Sequence, residues 1–188
     1  NLLKQLDYPL AAPSANITTK VSAVKAKDVK EEFGNKIKYI LDGGACAIGI
    51  ESTIVNLLGR PSILRLGGLD ILKIQKTLGF KISISINPKK KIAPGQSRLH
   101  YSPGIPLRMN VTKPKNDEAF IIIKKRKTKH KNYFYLTTKN NLNQAAKNLY
   151  SCLRKIKNQG YRSIAVEKIP NIGLGKAIND RLYRASKI

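Results

Sequence analysis

The stretch that most constrains this chain is residues 42–68, DGGACAIGIESTIVNLLGRPSILRLGG. Short apolar runs alternate there with glycine turns. Residues 37–41 run into Asp42-Gly43-Gly44, and residues 54–58 follow Glu51-Ser52-Thr53. Gly59-Arg60-Pro61 turns the chain, and residues 62–65 return and stop at Gly67-Gly68. Short apolar runs bounded by glycine and proline are strand signals. Ser52 and Thr53 stand at the mouth of one predicted strand, and Arg65 ends the next. Glycines beside polar groups at strand ends let a ligand come close to the backbone. A second cluster of this kind, AAPSAN at residues 11–16, lies upstream.

Around these stretches the periodicity predicts an α/β chain. Residues 1–6 read as a helix remnant and 10–12 as a strand end. Residues 21–33 read as a helix with Ser22 as cap, and 71–78 as a helix capped by Asp70. Residues 80–86 alternate like an exposed strand. Residues 87–104, NPKKKIAPGQSRLHYSPG, have the composition of a linker. Residues 106–111, 119–124, 132–136 and 163–166 read as strands. Residues 141–158 and 177–188 read as helices, the first with an apolar face at helical spacing. A strongly basic turn, KKRKTKHK at 124–131, joins two of the strands. The domain expectation is therefore 1–86, a linker at 87–104, and a small α/β layer at 105–188. Gly173 and Gly175 resemble a phosphate turn, but close packing explains them better.

Charge bears on partners. The chain has 36 basic and 11 acidic residues, net +25. That balance attracts polyanions. The basic residues are 27 Lys and 9 Arg, with no Trp, which fits a compositional bias better than a dedicated nucleic-acid binder. Two cysteines without metal-ligand spacing suggest neither a zinc site nor a disulfide framework. No apolar run approaches a membrane-spanning length and no signal-peptide region opens the chain, so the expectation is a soluble, cytoplasmic protein. No Ser/His/Asp triad, carboxylate pair or P-loop can be assembled. Catalysis by positioning and electrostatics remains. The chain opens without Met on a helix remnant, which raises the expectation of a C-terminal part of something longer.

PLAAPSAN, ILDGG, GIESTIVNL, PSILRLGG and APGQSRLHYSP, in this order, resemble the threonylcarbamoyl-adenylate synthases, whose catalytic domain is YrdC-like. AAKNLYSCLRKI, SIAVEKIP and GLGKAINDRLYRAS are similar to the extra C-terminal domain of that family's long form. The resemblance implies the C-terminal part of a twisted mixed sheet with helices, followed by a small Rossmann-like α/β domain. It implies an enzyme that makes an adenylate from L-threonine, bicarbonate and ATP, releasing pyrophosphate. The threonylcarbamoyl group then goes to adenosine 37 of tRNAs. Mg²⁺ is expected with ATP.

The resemblance also assigns residues. Ala12 and Ser52 would bind threonine; Ser14, Ser22 and Arg65 would bind ATP. Tyr101 would reach back from the linker and close over ATP. No residue is assigned as catalytic and none as a metal ligand. The segment that supplies the opposite wall of the family's pocket is not among these residues. The chain is therefore expected to be inactive alone, with the other half as a partner in trans or lost. A basic module that binds tRNA or double-stranded RNA without catalysis is the alternative. Thr18-Thr19 departs from the Ser-Gly frequent in the family.

Overall fold

The computed structural model describes residues 2–127 and 130–187. A 3₁₀ turn, Leu2–Gln5, leads into irregular chain and then α1 (Ala26–Phe33), followed by a second 3₁₀ turn, Gly34–Lys36. Next come β1 (Ile54–Asn56), β2 (Ser62–Arg65), α2 (Ile71–Leu78) and β3 (Ser83–Ile84). After residues 87–104 follow β4 (Leu107–Arg108), β5 (Ala119–Lys124), β6 (Tyr133–Thr137), α3 (Leu142–Asn158), β7 (Ile164–Val166) and α4 (Gly175–Ala185).

Two sheets result. The first has the order β1-β2-β3. β1 and β2 run antiparallel, with an irregularity between Ile54 and Val55, and β2 and β3 run parallel. The second is wholly parallel in the order β4-β7-β5-β6. Its central strand β5, AFIIIK, is buried at every position but the last. Parallel strands covered on both faces require such continuous apolar runs.

α3 is fixed at its start by Asn141, whose side chain accepts from the backbone N–H groups of Asn143 and Gln144. Its buried stripe of Ala145, Ala146, Leu149, Leu153 and Ile156 lies on the second sheet. α2 is capped by Asp70 and ends at Gly79, whose φ of 75° is the left-handed conformation that glycine adopts freely. α4 joins the two sheets: Ala177 belongs to the core of the first, while Ile178, Leu182 and Ala185 belong to the core of the second.

Several expectations are corrected. Residues 37–41 form no strand, and Tyr39 and Leu41 are 80% and 79% exposed. Apolar pattern alone makes no strand where no neighbouring strand pairs with it and no layer covers it. Residues 10–12 likewise belong to no strand and are exposed. α1 begins at Ala26, not at 21. Ser22 caps nothing; its hydroxyl is drawn to Glu51 instead. The strands expected over 80–86 and 106–111 shrink to two residues each.

Residues 87–104, the expected linker, form a strap that is exposed at 89–92 and packed at 95–97 and 99–103. Gln96 and Tyr101 are buried in it, and Gln96 bonds the backbone of Leu64, Ser85, Ile92 and Ala93. Gly175 is a packing glycine, since a Cβ there would collide with the carbonyl of Pro170. The expected elements at 1–6, 124–131 and 177–188 each include residues outside those described: Asn1, Thr128, Lys129 and Ile188.

Candidate functional site

The site grows from the hairpin β1–β2. Glycine at 67 lets the chain after β2 lie against the start of β1; a Cβ there would collide with the Ser52–Thr53 peptide. The contact is stitched on both sides. Gly68 N–H donates to the Glu51 carbonyl at 2.9 Å, and the Thr53 hydroxyl donates to the Leu69 carbonyl at 2.7 Å. Ser52 therefore stands at a fixed strand mouth, with its side chain exposed.

Arg65, at the end of β2, turns onto that mouth. Its Nε donates to the Ser52 carbonyl at 3.0 Å and its Nη2 to Ser52 Oγ at 3.1 Å. Two of the five guanidinium donors are thus committed to Ser52. The Ser52 hydroxyl accepts from Arg65, which leaves its own proton for another acceptor.

The strap closes over this pair. Gly95 has a φ of 88°, and a Cβ there would collide with the Tyr101 hydroxyl and stand 2.9 Å from Arg65 Cδ. The Tyr101 hydroxyl thus lies beside the Arg65 stem. That hydroxyl is buried and has no hydrogen-bond partner among the described residues. Burial pushes the Tyr101 phenol above its usual value, so it stays protonated and able to donate. A buried donor without a partner is costly, and Tyr101 also holds a φ of 58°, an uncommon conformation for a bulky residue. Strain and an unmet donor together are features that cluster at functional sites.

Beneath Ser52 lies a polar cluster. The Glu51 carboxylate accepts from Ser22 Oγ at 2.6 Å, from the Tyr150 hydroxyl at 2.9 Å and 3.0 Å, and from Arg181 Nε at 3.1 Å. Burial, the largest single influence, would push the Glu51 carboxyl up. The Arg181 guanidinium, the Ser22 and Tyr150 hydroxyls and a backbone hydrogen bond together outweigh it and hold the carboxyl below its ordinary value. His100 is pushed down, chiefly by burial, and its Nδ1 accepts from the Tyr101 N–H at 3.0 Å. That bond requires a neutral ring.

Of the residues singled out from the sequence, Ser52, Arg65 and Tyr101 are brought together. Ser22 is buried one step behind them, joined through Glu51. Ala12 and Ser14 lie on an exposed stretch, and the Ser14 hydroxyl bonds Asn16 Oδ1 at 2.6 Å. Glu51, Tyr150 and Arg181 were missed by sequence reasoning. Tyr150 and Arg181 look like ordinary helix residues, and only Arg181's place inside an amphipathic helix could have hinted at a buried charge.

The residues at 69–187 match the family described as "Threonylcarbamoyl-AMP synthase, C-terminal domain". The chain belongs to the threonylcarbamoyl-AMP synthase family. Residues 1–67 match a second family, described as "Telomere recombination". The threonylcarbamoyl-AMP synthase of Schizosaccharomyces pombe is 32% identical over all of this chain and 54% of its own length. That of Pyrococcus abyssi is 33% identical over 98% of this chain and 60% of its own length. The chain thus spans little more than half of these curated relatives.

A crystal structure of P. abyssi Sua5 complexed with L-threonine superposes with a TM-score of 0.79 at 32% identity, over 93% of this chain and 56% of the other. A P. abyssi Sua5 variant, in which a histidine and the tyrosine after it are both alanine, superposes with a TM-score of 0.71. The mixed α/β architecture of two sheets and four helices is that of this family.

Proposed function

We propose that this chain forms one wall of a threonylcarbamoyl-AMP synthase site, working together with residues its relatives carry beyond the matched region. In the proposed reaction the L-threonine amine takes up the carbon of bicarbonate with loss of water. A carbamate oxygen then attacks the α-phosphorus of ATP and pyrophosphate leaves, giving L-threonylcarbamoyladenylate. The threonylcarbamoyl group would then pass to adenosine 37 of tRNAs. The observation that carries this reading is the Ser52–Arg65 pair beneath the buried hydroxyl of Tyr101, which has no hydrogen-bond partner among the described residues.

In this reading each residue has a task. Ser52 keeps a proton to donate to the threonine carboxylate or hydroxyl. The remaining Arg65 donors face phosphate oxygens, for which a planar fork is well suited. The Tyr101 hydroxyl is positioned to donate to the nucleotide, while its ring excludes water from the strap side. Ala12 and Ser14 would complete the threonine and ATP contacts, and their exposed side chains leave them accessible. Ser22 would act through Glu51 behind Ser52.

The P. abyssi variant changed an adjacent histidine and tyrosine. This chain has one such pair, His100-Tyr101. Among the described residues no three His, Cys, Asp or Glu side chains gather into a metal site. Mg²⁺ would ride on the phosphates in this proposal, and no step is routed through it. The strand pairing of β3 with β2 keeps residues up to 84 with the first sheet, which supports dividing the chain at the strap, 87–104. No helix among the described residues is long and apolar enough to cross a membrane.

The test is an assembly of this chain with the segment of the P. abyssi protein outside the match, supplied joined or in trans. Pyrophosphate release is measured with L-threonine, bicarbonate and ATP. Ser52→Ala and Arg65→Ala should each lower turnover by about 10²-fold or more, the scale of losing one transition-state donor. Unchanged turnover with loss of RNA affinity instead would favour the RNA-binding alternative.

A further inference from the structure

Arg181 does more in this fold than pair with Glu51. Its side chain is fully buried, with 0% relative exposure. Nε donates to Glu51 Oε2 at 3.1 Å, and Nη1 donates to Asp180 Oδ2 at 3.0 Å. The guanidinium also stands 4.8 Å from the centroid of the Tyr101 ring. That ring in turn stacks on Tyr150, 5.9 Å away with the planes 17° apart. One planar cation on α4 therefore touches both halves of the site. On one side it holds the carboxylate next to Ser52, and on the other it lies against the strap tyrosine beside Arg65.

The next turn of α4 reinforces the second contact. Arg184 shares Asp180 through Oδ1 at 3.1 Å. It donates to the carbonyls of Ser97 at 2.8 Å and Ile86 at 2.9 Å, and to Asn87 Oδ1 at 3.0 Å. The start and the middle of the strap are thus tied to the helix that carries Arg181. Neither arginine reaches the exposed mouth, so neither is placed to touch substrate.

We propose that Arg181 is a positioning residue that couples the threonine side of the site to the strap: it fixes Glu51, and hence Ser52, and Tyr101 in one register. The small C-terminal layer then acts on the reaction through α4. A tie at Glu51 alone would need only a positive charge. The second tie needs a flat, delocalised cation that can lie over an aromatic face, as guanidinium does and ammonium does poorly. Arg181→Lys separates the two, since it keeps the charge for Glu51 and gives up the planar contact with Tyr101.

Hydrogen exchange on the chain itself tests this without any ligand. Arg181→Lys should raise exchange in residues 92–102 by about tenfold while β5, β6 and α3 stay within about twofold of the parent. Exchange unchanged in the strap, or raised evenly across the chain, overturns the proposal. Should the lysine variant not fold, Tyr150→Phe removes one hydroxyl from Glu51 and leaves the stack on Tyr101. It should disturb exchange at residues 50–53 and spare the strap, and the opposite pattern overturns the coupling as drawn.

A kinetic arm rests on the function proposed above. In an active assembly, Arg181→Lys should raise KM for ATP several-fold more than KM for L-threonine. Equal changes in both contradict the proposal. If the parent assembly releases no pyrophosphate, the function reading fails while the exchange result still decides the coupling.

Discussion

The two layers of this molecule finish their cores differently. The second layer, β4–β7 with α3 and α4, encloses its apolar residues: Ile121, Leu136, Leu149, Ile164, Ile178 and Leu182 are each fully buried. The first layer buries Ile63, Leu66 and Ile71 but leaves much of its apolar surface open. Of nineteen large exposed apolar residues among those described, sixteen lie before residue 87. Leu57 and Leu58, at the tip of the β1–β2 turn, are 71% and 87% exposed. The candidate site sits where the two regimes meet. Its floor is drawn from the closed layer, which supplies Tyr150 and Arg181, and its open side from the first layer.

The sharpest way to break this contrast is to remove apolar side chains from each layer. Leu149→Ala, in the closed core, should cost about 2–5 kcal/mol. Leu58→Ala should stay within about 0.5 kcal/mol. Urea unfolding of the two variants checks this, and similar losses would erase the distinction.

Gly67→Ala probes the junction. A Cβ forced against the Ser52–Thr53 peptide should destabilise by about 1–3 kcal/mol. It should also separate Arg65 from Ser52, visible as a changed Arg65 side-chain resonance in NMR spectra.

Acid should loosen the same junction before the closed core. His100 is held below its ordinary value, so its stabilising contribution is complete above the unfolded value of about 6.5 and is lost as pH falls through the folded one. Glu51 has the same sign at lower pH: its contribution is complete above about 4.3 and is lost as pH falls below that. Hydrogen exchange at residues 95–102, taken relative to the intrinsic rate at each pH, should therefore rise between pH 7 and pH 5, ahead of β5 and β6. An even rise in both would contradict the assignment.

The smallest effect concerns Thr19, which holds a φ of 71° while its carbonyl accepts from Ser102 N–H at 2.8 Å. Thr19→Gly relieves about 1–2 kcal/mol of left-handed strain, offset in part by about 0.5–1 kcal/mol of chain entropy. A net gain near 0.5 kcal/mol is expected from thermal unfolding.

The closed layer was legible in the sequence because its signals are local. Asn141 before an apolar stripe and the AFIIIK run each announce an element, and each is found within a residue or two. Residues 37–41 carried as strong an apolar signal and formed nothing, because a strand needs a neighbour as well as a pattern. The Ser52–Arg65 hairpin was readable from its glycines. The buried network was not: Glu51 meets Tyr150 and Arg181 from opposite ends of the chain, and no spacing rule brings such residues together. The strap misled for a related reason. Its prolines and lysines read as a linker, whereas Gln96, Tyr101 and Arg184 bind it down through contacts visible only in three dimensions.

The account rests most on the claim that Ser52 and Arg65 face substrate in a site this chain only partly encloses. Pyrophosphate release from ATP, L-threonine and bicarbonate addresses it directly, measured for the chain alone and for its assembly with the complementary P. abyssi segment. The account predicts no turnover by the chain alone, turnover by the assembly, and loss of that turnover in Arg65→Ala and Ser52→Ala. Full turnover by the chain alone, or an assembly indifferent to both substitutions, would contradict it.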